Sequence, residues 1–567
     1  MGRAHRWILA GLAWAAALAC PGAAPATLGA LDALIQAERQ IDRGGFGTAL
    51  FTAKGPEWSY TSGAGGPGRI PFGPDTPLMA GELSGRIVIL AAVRMADRGR
   101  LDLDRPLGAY WPGLENSASR HLARLGQLPV RALAAESTGR VDTIPRLVPG
   151  YVPGRHLLPA LGARAERFPP GFRQSWSCGM NDLLALLLER LDRRPWAQVV
   201  LEEALKPLGM RGSAWLTPVQ GARTVPFYFP EGTRYDPSLV ESLLPPLAPS
   251  LSLRTTLGDL AACGRALLAA YGGEPGAPLS PKAARAVLAP AIPGQLDRQG
   301  FESGLGWNLT DYRLAYLGRV AWAFGAGGTH QILVMLLPDR GLGVVLAQTW
   351  QDPGGLYDLK RIARALLQTW TGREQGLPRP EFQVPPVIPP VPPADRPAPG
   401  LYASRAGVAE LDWHDDQLAL SIRGGFGQFV WAGPGRFRPA ADNEFAQADL
   451  AGDTLTVTWR SGARARLERV PDPGPDLALE PGAFPVEAPD SVQSRGTALL
   501  DRHRGHWTIT GDDARTYLLL PDPDPGQGAR VLCDQASALY GCRVAADRLG
   551  VSHIRAPAAG PAHGSIP

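Results

Sequence analysis

The sequence has no concentrated stretch of basic residues, which argues against a nucleic-acid-binding protein. Over 567 residues, 57 Lys and Arg residues against 53 Asp and Glu residues leave a formal net charge of only +4. The basic residues are scattered, whereas a nucleic-acid interface needs a basic stripe or patch. The H-E-x-x-H and C-x-x-C spacings of metal sites are also absent, so no catalytic metal and no other cofactor is predicted.

Long apolar runs are absent after the first residues, so the mature chain is predicted to have no transmembrane helix. Residues 1–26 are typical of a secretory signal, because arginines precede an apolar run at 7–19 and residues 24–26 fit an A-x-A cleavage site. The run is shorter than the roughly 20 apolar residues that span a bilayer. Lipidation at Cys20 is the alternative to cleavage. Both interpretations predict a periplasmic or secreted protein of the cell envelope.

Cysteine is scarce, and four of the five cysteines follow the predicted signal. Cys533 and Cys542 are close in sequence, and in an oxidising compartment they are predicted to form a disulfide. Cys178 and Cys263 are far apart in sequence. They are predicted to be buried thiols, since unoxidised cysteine is among the most buried residue types.

The chain is too long for one compact core, and its composition changes several times along its length. Ten prolines fall between residues 376 and 399, which predicts a semi-rigid spacer. The predicted organisation is a signal peptide at 1–26, a first domain at 27–371, a proline-rich linker at 372–398, a small all-β domain at 399–470, a second proline-rich linker at 471–492 and a small β-containing C-terminal region at 493–567.

Residues 27–371 combine helical and strand patterns, which predicts an α+β or mixed α/β fold. Apolar residues at spacings of three and four predict helices at 87–98, 182–191 and 356–370. Two hairpins are predicted, one pairing 48–52 with 58–61 and the other pairing 331–337 with 341–347. Short alternating strands with turn signals in 399–470 predict a small barrel or sandwich.

Six short segments of 27–371 carry a resemblance to a known family. They are Asp75-Thr76-Pro77-Leu78, 99–106, Glu136-Ser137-Thr138-Gly139, Pro207-Leu208-Gly209-Met210, 255–260 and Gly304-Leu305-Gly306-Trp307. In this order they resemble the serine β-lactamase/penicillin-binding-protein family, which includes class C β-lactamases, DD-peptidases and related esterases. The resemblance implies a β-lactamase/transpeptidase-like domain with an antiparallel sheet flanked by helices. Residues 399–470 resemble the β-barrel domain often appended to such hydrolases.

The resemblance implies a serine and a lysine in an S-x-x-K motif, because residues at i and i+3 share one helix face. The lysine takes the hydroxyl proton, and the serine forms the acyl intermediate. Counting forward from Asp75 or backward from Gly99 places Glu82 at the serine position and Gly85 at the lysine position. A carboxylate is a poor acyl nucleophile, and glycine offers no base.

The two other family motifs are also replaced. The resemblance places Trp176 and Cys178 at the tyrosine and asparagine positions of a Y-x-N motif. An indole cannot take up a proton as a phenolate can. In the third motif, K-T-G or H-x-G, Ala326 falls at the charged position, and a gapless count from Pro338 gives Ala323 instead. Neither alanine carries a charge.

A few groups remain candidates for residual chemistry. Ser84 is the nearest hydroxyl to the missing nucleophile, although a helix serine bonded to the backbone is the favoured interpretation. Arg86 is the nearest cation, and arginine stays protonated in proteins. Glu82 fits a helix N-terminus, where the dipole favours an acid by about 0.3–1 kcal/mol. It also fits a pocket residue that binds a cation or acts as a general base. Cys178 is a candidate reactive thiol, with His330 as its partner or as a structural histidine.

The sequence therefore predicts an exported homologue that has lost the Ser-Lys-Tyr mechanism and binds a peptide- or peptidoglycan-like ligand without cleaving it. One alternative is an active esterase, peptidase or β-lactamase-like hydrolase with a displaced nucleophile such as Ser84. The other is a structural envelope protein with a filled cleft. The ligand class follows from the resemblance alone, which is a weak guide to function.

Overall fold

The computed structural model describes most of the chain in two compact units. The described residues are 25–38, 44–66, 70–140, 151–163, 170–171, 174, 177–215, 248–291, 302–309, 311–350, 355–380, 389–396, 398–404, 407–414, 416–422, 425–440, 445–460, 464–471, 479, 482–487, 497–504, 506–510, 516–521, 529–532, 543–546 and 552–555. One unit comprises Met1–Ala165, Gln174–Gln295 and Phe301–Pro380, and the other comprises Glu166–Arg173, Leu296–Gly300 and Glu381–Pro567. Within the described ranges, no helix has the length and apolar character needed to cross a bilayer.

Antiparallel strands form the centre of the first unit. They are β1 (Phe46–Thr52), β2 (Pro56–Ser62), β3 (Ala64–Gly66), β4 (Ile70–Pro71), β5 (Leu78–Met79), β6 (Ala214–Trp215), β7 (Leu253–Thr255), β8 (Ala321–Gly327), β9 (His330–Leu337) and β10 (Leu342–Gln348). The main sheet has the order β2-β1-β10-β9-β8, and two small sheets contain β3-β4 and β5-β7-β6. Both predicted hairpins are confirmed, since β1 pairs with β2 and β9 pairs with β10.

Helices pack on both faces of the main sheet. The described helices of the first unit are α1 (Pro25–Glu38), α2 (Leu83–Asp97), α3 (Arg120–Gln127), α4 (Val130–Ala134), α5 (Pro153–Gly162), α6 (Cys178–Asp192), α7 (Trp196–Val200), α8 (Leu257–Gly272), α9 (Pro281–Val287) and α10 (Gly355–Glu374). The three predicted helices are confirmed as α2, α6 and α10. Helices α2 and α6 begin earlier than predicted, because glycine and polar residues in their first turns give no apolar signal.

The main sheet separates two hydrophobic cores, because successive side chains of a strand point to opposite faces. From β1, Ala49 and Phe51 pack into a core that includes α2, α6 and α8. Phe46 and Leu50 point the other way, into a core shared with α1 and α10. The helices α2 and α6, which carry the first and second family motifs, therefore belong to the same core.

The second unit contains a closed eight-stranded antiparallel barrel. Its strands are β11 (Gly400–Ser404), β12 (Gly407–His414), β13 (Gln417–Ile422), β14 (Gly425–Gly433), β15 (Arg436–Pro439), β16 (Phe445–Ala451), β17 (Thr454–Trp459) and β18 (Arg464–Arg469). The barrel closes where β18 pairs with β11. Its interior is filled by side chains such as Phe429, Phe437 and Phe445. The predicted α+β domain and the small all-β barrel after it are both confirmed.

A second closed barrel follows the first. Its strands are β19 (Gly482–Glu487), β20 (Thr497–His503), β21 (His506–Thr510), β22 (Thr516–Pro521), β23 (Ala529–Leu532), β24 (Arg543–Ala546) and β25 (Ser552–Arg555). A parallel pairing of β19 with β25 closes it. The structure corrects the predicted linker at 471–492, since β19 lies inside it. Proline content suggested a spacer, but one proline removes only one ladder donor and is tolerated in a strand at the right position.

Close backbone contact joins β8 to the segment before α2. A Cβ atom at Gly325 would lie 2.1 Å from the carbonyl oxygen of Ala80, and one at Gly81 would lie 2.1 Å from the carbonyl oxygen of Ala326. Gly81 also has a φ of +53°, a conformation that glycine adopts readily. Glycine at these positions lets the start of α2 lie directly against β8.

The change Gly325→Ala is expected to destabilise the protein by about 1–3 kcal/mol, because the added methyl group overlaps backbone atoms that cannot move independently. Urea unfolding measures the difference. The matched control is Gly272→Ala at the end of α8, where a Cβ atom would meet nothing within 4 Å. The control should be neutral or slightly stabilising. Equal stability of the two variants would contradict the close packing of β8.

Candidate functional site

Glu82, the residue at the predicted serine position, lies immediately before α2 and faces β8. Its backbone is helical (φ −60°, ψ −22°), and its side chain makes no capping hydrogen bond to the helix. The backbone N–H of Ala326 instead donates a hydrogen bond of 2.7 Å to Glu82 Oε2. Glu82 and Ala326 therefore lie next to each other, with the carboxylate bound to the strand backbone.

Gly85, the residue at the predicted lysine position, lies against the side chain of Asn181 from α6. A Cβ atom at Gly85 would lie 2.5 Å from Asn181 Nδ2 and 2.9 Å from Asn181 Cγ. Contacts under 3.0 Å require a neighbouring atom to move. Asn181 thus occupies the space that a Cβ atom at position 85 would need.

Asn181 is held in this place by Glu136, a fully buried acid that sequence reasoning did not assign to the site. Asn181 Nδ2 donates to Glu136 Oε1 at 3.2 Å, and Gln174 Nε2 donates to Glu136 Oε2 at 3.0 Å. Arg86 pairs with Oε1 of the same carboxylate. Ser303 Oγ extends the network by donating to Gln174 Oε1. We call these five residues the Glu136 network.

The backbone of Glu136 has a φ of +52°, in the left-handed region that non-glycine residues rarely adopt. Such a conformation costs about 1–3 kcal/mol and persists only where surrounding contacts impose it. The charge-assisted bonds to Glu136 supply such contacts, because each is worth roughly twice a neutral hydrogen bond. The sequence signal for this role is weak, since Glu136 is visible only as the first residue of one of the six segments that carry the family resemblance.

Ser84 is fully buried in the first turn of α2. Its Oγ accepts a hydrogen bond of 3.1 Å from the backbone N–H of Leu253 in β7. The carbonyl of Leu253 accepts in turn from the N–H of Ala80, at 2.9 Å. The Ser84 hydroxyl thus ties α2 to the small β5-β7-β6 sheet.

The second family motif is only partly visible, because Trp176 lies outside the described residues. Ser177 caps α6, with its Oγ accepting from the N–H of Met180 at 3.3 Å. Cys178 is the first residue of the helix and is fully buried. Cys263 is also buried, and burial raises the pKa of its thiol to about 12. Both cysteines are thus buried thiols, as predicted, whereas Cys533 and Cys542 lie outside the described residues.

His330 is fully buried at the start of β9. Its Nδ1 lies 3.4 Å from the backbone N of Met79, which donates to it. The tight turn from Gly327 to His330 is permitted by Gly328, whose φ is +59°. Among the residues that the structure describes, no group of three or more His, Cys, Asp or Glu side chains is placed to hold a metal ion.

An antiparallel sheet with helices on both faces, and a helix whose first residue contacts the edge strand β8, define a serine hydrolase fold of the β-lactamase/transpeptidase type. The family model described as β-lactamase matches residues 31–369, more than half of the chain. The chain therefore belongs to the β-lactamase family, which confirms the family indicated by the six sequence segments.

Several solved structures are similar to this chain. The structure of SurE is 20% identical, with 78% of this chain and 98% of that chain covered and a TM-score of 0.47. A β-lactamase/D-alanine carboxypeptidase from Pseudomonas syringae is 18% identical, with 60% and 99% covered and a TM-score of 0.48. An octameric penicillin-binding protein homologue from Pyrococcus abyssi is 16% identical, with 77% and 99% covered and a TM-score of 0.48. No curated protein matches the sequence.

The change Glu136→Gln is expected to destabilise the protein by about 3–5 kcal/mol, because it leaves the buried guanidinium of Arg86 without its counter-charge. Thermal or urea unfolding measures the loss. Glu57→Gln is the matched control, since Glu57 accepts a single hydrogen bond from Thr52 Oγ1 at 2.8 Å in a partly exposed hairpin. The control should lose about 1 kcal/mol or less. If Glu136→Gln lowers the free energy of unfolding no more than Glu57→Gln does, the Glu136 network contributes little to stability.

Proposed function

We propose that this protein is an exported, non-acylating member of the β-lactamase family that binds a peptide- or peptidoglycan-like ligand in its cleft. The observation that carries the proposal is the position of Asn181, which fills the space at the predicted lysine position. An amide side chain therefore lies where the family has the lysine that takes the serine proton.

The nucleophile is the first component that the proposal treats as lost. Acyl transfer needs a hydroxyl or thiol that attacks the carbonyl carbon, and an ionised carboxylate at that place is a poor substitute. It also needs hydrogen-bond donors for the oxygen that becomes negatively charged. The N–H of Ala326, which lies beside position 82, is already bonded to the Glu82 carboxylate. The carboxylate thus occupies a donor that a reacting carbonyl would need.

The base is the second lost component. Gly85 has no side chain, and the nearest cation in the helix, Arg86, is paired with Glu136 in the buried interior. An arginine at a buried ion pair stays charged and cannot accept the proton of a nucleophile. These contacts support the loss of the Ser-Lys-Tyr mechanism. The serine and the lysine are missing, and the residues at and beside their positions are engaged in other bonds.

The alternative of a displaced nucleophile at Ser84 has less support from the geometry. Ser84 has no exposed surface, and its Oγ is bonded to the backbone of β7. A substrate carbonyl would have to reach a buried atom at the junction of α2 and β7. The observed contacts favour a structural hydroxyl at this position.

The location and the ligand are inferred from the sequence and the family. The first 26 residues have the pattern of a secretory signal, which supports a place in the periplasm or cell envelope. The ligand class follows from membership in a family of peptidoglycan- and β-lactam-directed hydrolases. We assign the two barrels of the second unit to partner binding or to a positioning role.

Incubation with fluorescent penicillin and with a fluorophosphonate probe tests the proposal. The wild-type protein is expected to show no covalent labelling, while an active serine hydrolase in the same reaction is labelled. Glu82→Ser combined with Gly85→Lys should also stay unlabelled, because Asn181 still fills the lysine space. Labelling of the wild type that disappears in Ser84→Ala would establish the displaced-nucleophile alternative, and labelling that persists in that variant would indicate another nucleophile.

A thermal-shift titration with muropeptides then separates a ligand-binding cleft from a purely structural protein. A ligand that binds only the native state stabilises it by RT ln(1 + [L]/Kd). We expect the melting temperature to rise with muropeptide concentration. An unchanged melting temperature in an unlabelled protein would favour the structural envelope protein.

A further inference from the structure

We propose that a groove beside the β5-β7-β6 sheet binds a small oxyanion, a carboxylate or a phosphate group. The groove has a volume of about 560 Å³ and is lined by Arg211, Arg254, Arg265, Asp75 and Asp259, together with glycines and small side chains. This volume lies within the range of small-molecule sites, which is roughly 300–1,000 Å³. Glu82, Gly85, Cys178 and Ala326 do not line it, so the inference is independent of the proposed function.

Arg254 supplies the first anchor, from the middle of β7. One guanidinium nitrogen, NH2, donates to the carbonyl oxygen of Gly212 at 2.7 Å, which fixes the orientation of the side chain. Its Nε is buried and has no hydrogen-bond acceptor among the described residues. Because this Nε lies beneath the accessible surface, a ligand in the groove would meet the outer guanidinium nitrogens of Arg254.

Arg265 supplies the second anchor, from α8, and also lines the groove. Its Nε is likewise buried without an acceptor among the described residues. The guanidinium group donates in a fixed planar arrangement that matches carboxylate and phosphate oxygens. Two such groups on separate elements define a site for an anion better than one surface arginine does.

The acids of the groove do not neutralise these arginines completely. Asp259 is nearly buried, and its Oδ2 accepts from Ser213 Oγ at 2.5 Å. The backbone of Gly212 bonds to the same carboxyl group, and burial raises its pKa. Asp259 is thus already engaged by Ser213 and Gly212, while Asp75 is exposed. Three arginines against two aspartates leave the lining positive.

Isothermal titration of the full-length protein with inorganic phosphate, and separately with acetate and citrate, tests the proposal at low salt, where charge interactions are least screened. We expect saturable binding that Arg265→Gln weakens by about tenfold or more, since it removes a charge-assisted donor pair. Arg254→Gln should weaken binding similarly. Because Arg254 also bonds to Gly212, unfolding curves of both variants check that the fold persists, and Arg265→Gln carries the test if Arg254→Gln unfolds.

Arg285→Gln is the matched control, because Arg285 on α9 stacks on Tyr271 and does not line the groove. It removes one positive charge from the same unit and should leave binding unchanged. Binding of phosphate alone identifies a phosphate ligand, and binding of acetate or citrate alone identifies a carboxylate ligand. No saturable binding at millimolar anion, or equal weakening by Arg285→Gln, would overturn the proposal.

Discussion

The buried carboxylate of Glu136 is the group on which the packing between the starts of α2 and α6 depends. It accepts hydrogen bonds from Asn181 and Gln174 and pairs with Arg86, so three different segments converge on one side chain. Breaking a buried charge pair from one side is costly, because the remaining charge is left without compensation. The position of Asn181 over Gly85 follows from this anchor, and the close contact that a Cβ atom at position 85 would make follows from Asn181. The first turns of α2 and α6 are thus held together by a buried ion pair and its hydrogen bonds.

The packing of the scaffold does not depend on the residues at the family's catalytic positions. The two cores on either side of the main sheet are formed by apolar side chains of α1, α2, α6, α8 and α10 and do not require a reactive serine or lysine. The glycines at 81, 325 and 327 preserve the close approach of β8 to the start of α2. Family membership therefore describes the fold of this chain, while the side chains at the site have to be considered one by one.

Local patterns predicted the helices α2, α6 and α10, both hairpins and the first barrel, because apolar periodicity and turn residues are properties of neighbouring residues. The Glu136 network escaped prediction because its members are distant in sequence, with Gln174 and Ser303 separated by 129 positions. The substitution at position 85 was visible in the sequence, but its partner Asn181 was not, since only the packing of α2 against α6 brings them together. The second barrel was missed in part because its short strands alternate with proline-rich segments, and proline content suggested a spacer.

A double-mutant cycle between positions 85 and 181 tests the central claim, that Asn181 fills the space of the lysine position. Gly85→Ala, Asn181→Gly and the double variant are compared with the wild type by urea unfolding. The account predicts that Gly85→Ala costs much less stability when Asn181 is already glycine, with a coupling of about 1–3 kcal/mol. If the stability losses of the two single variants sum to that of the double variant within about 0.5 kcal/mol, the two residues do not share this space. That result would contradict the account.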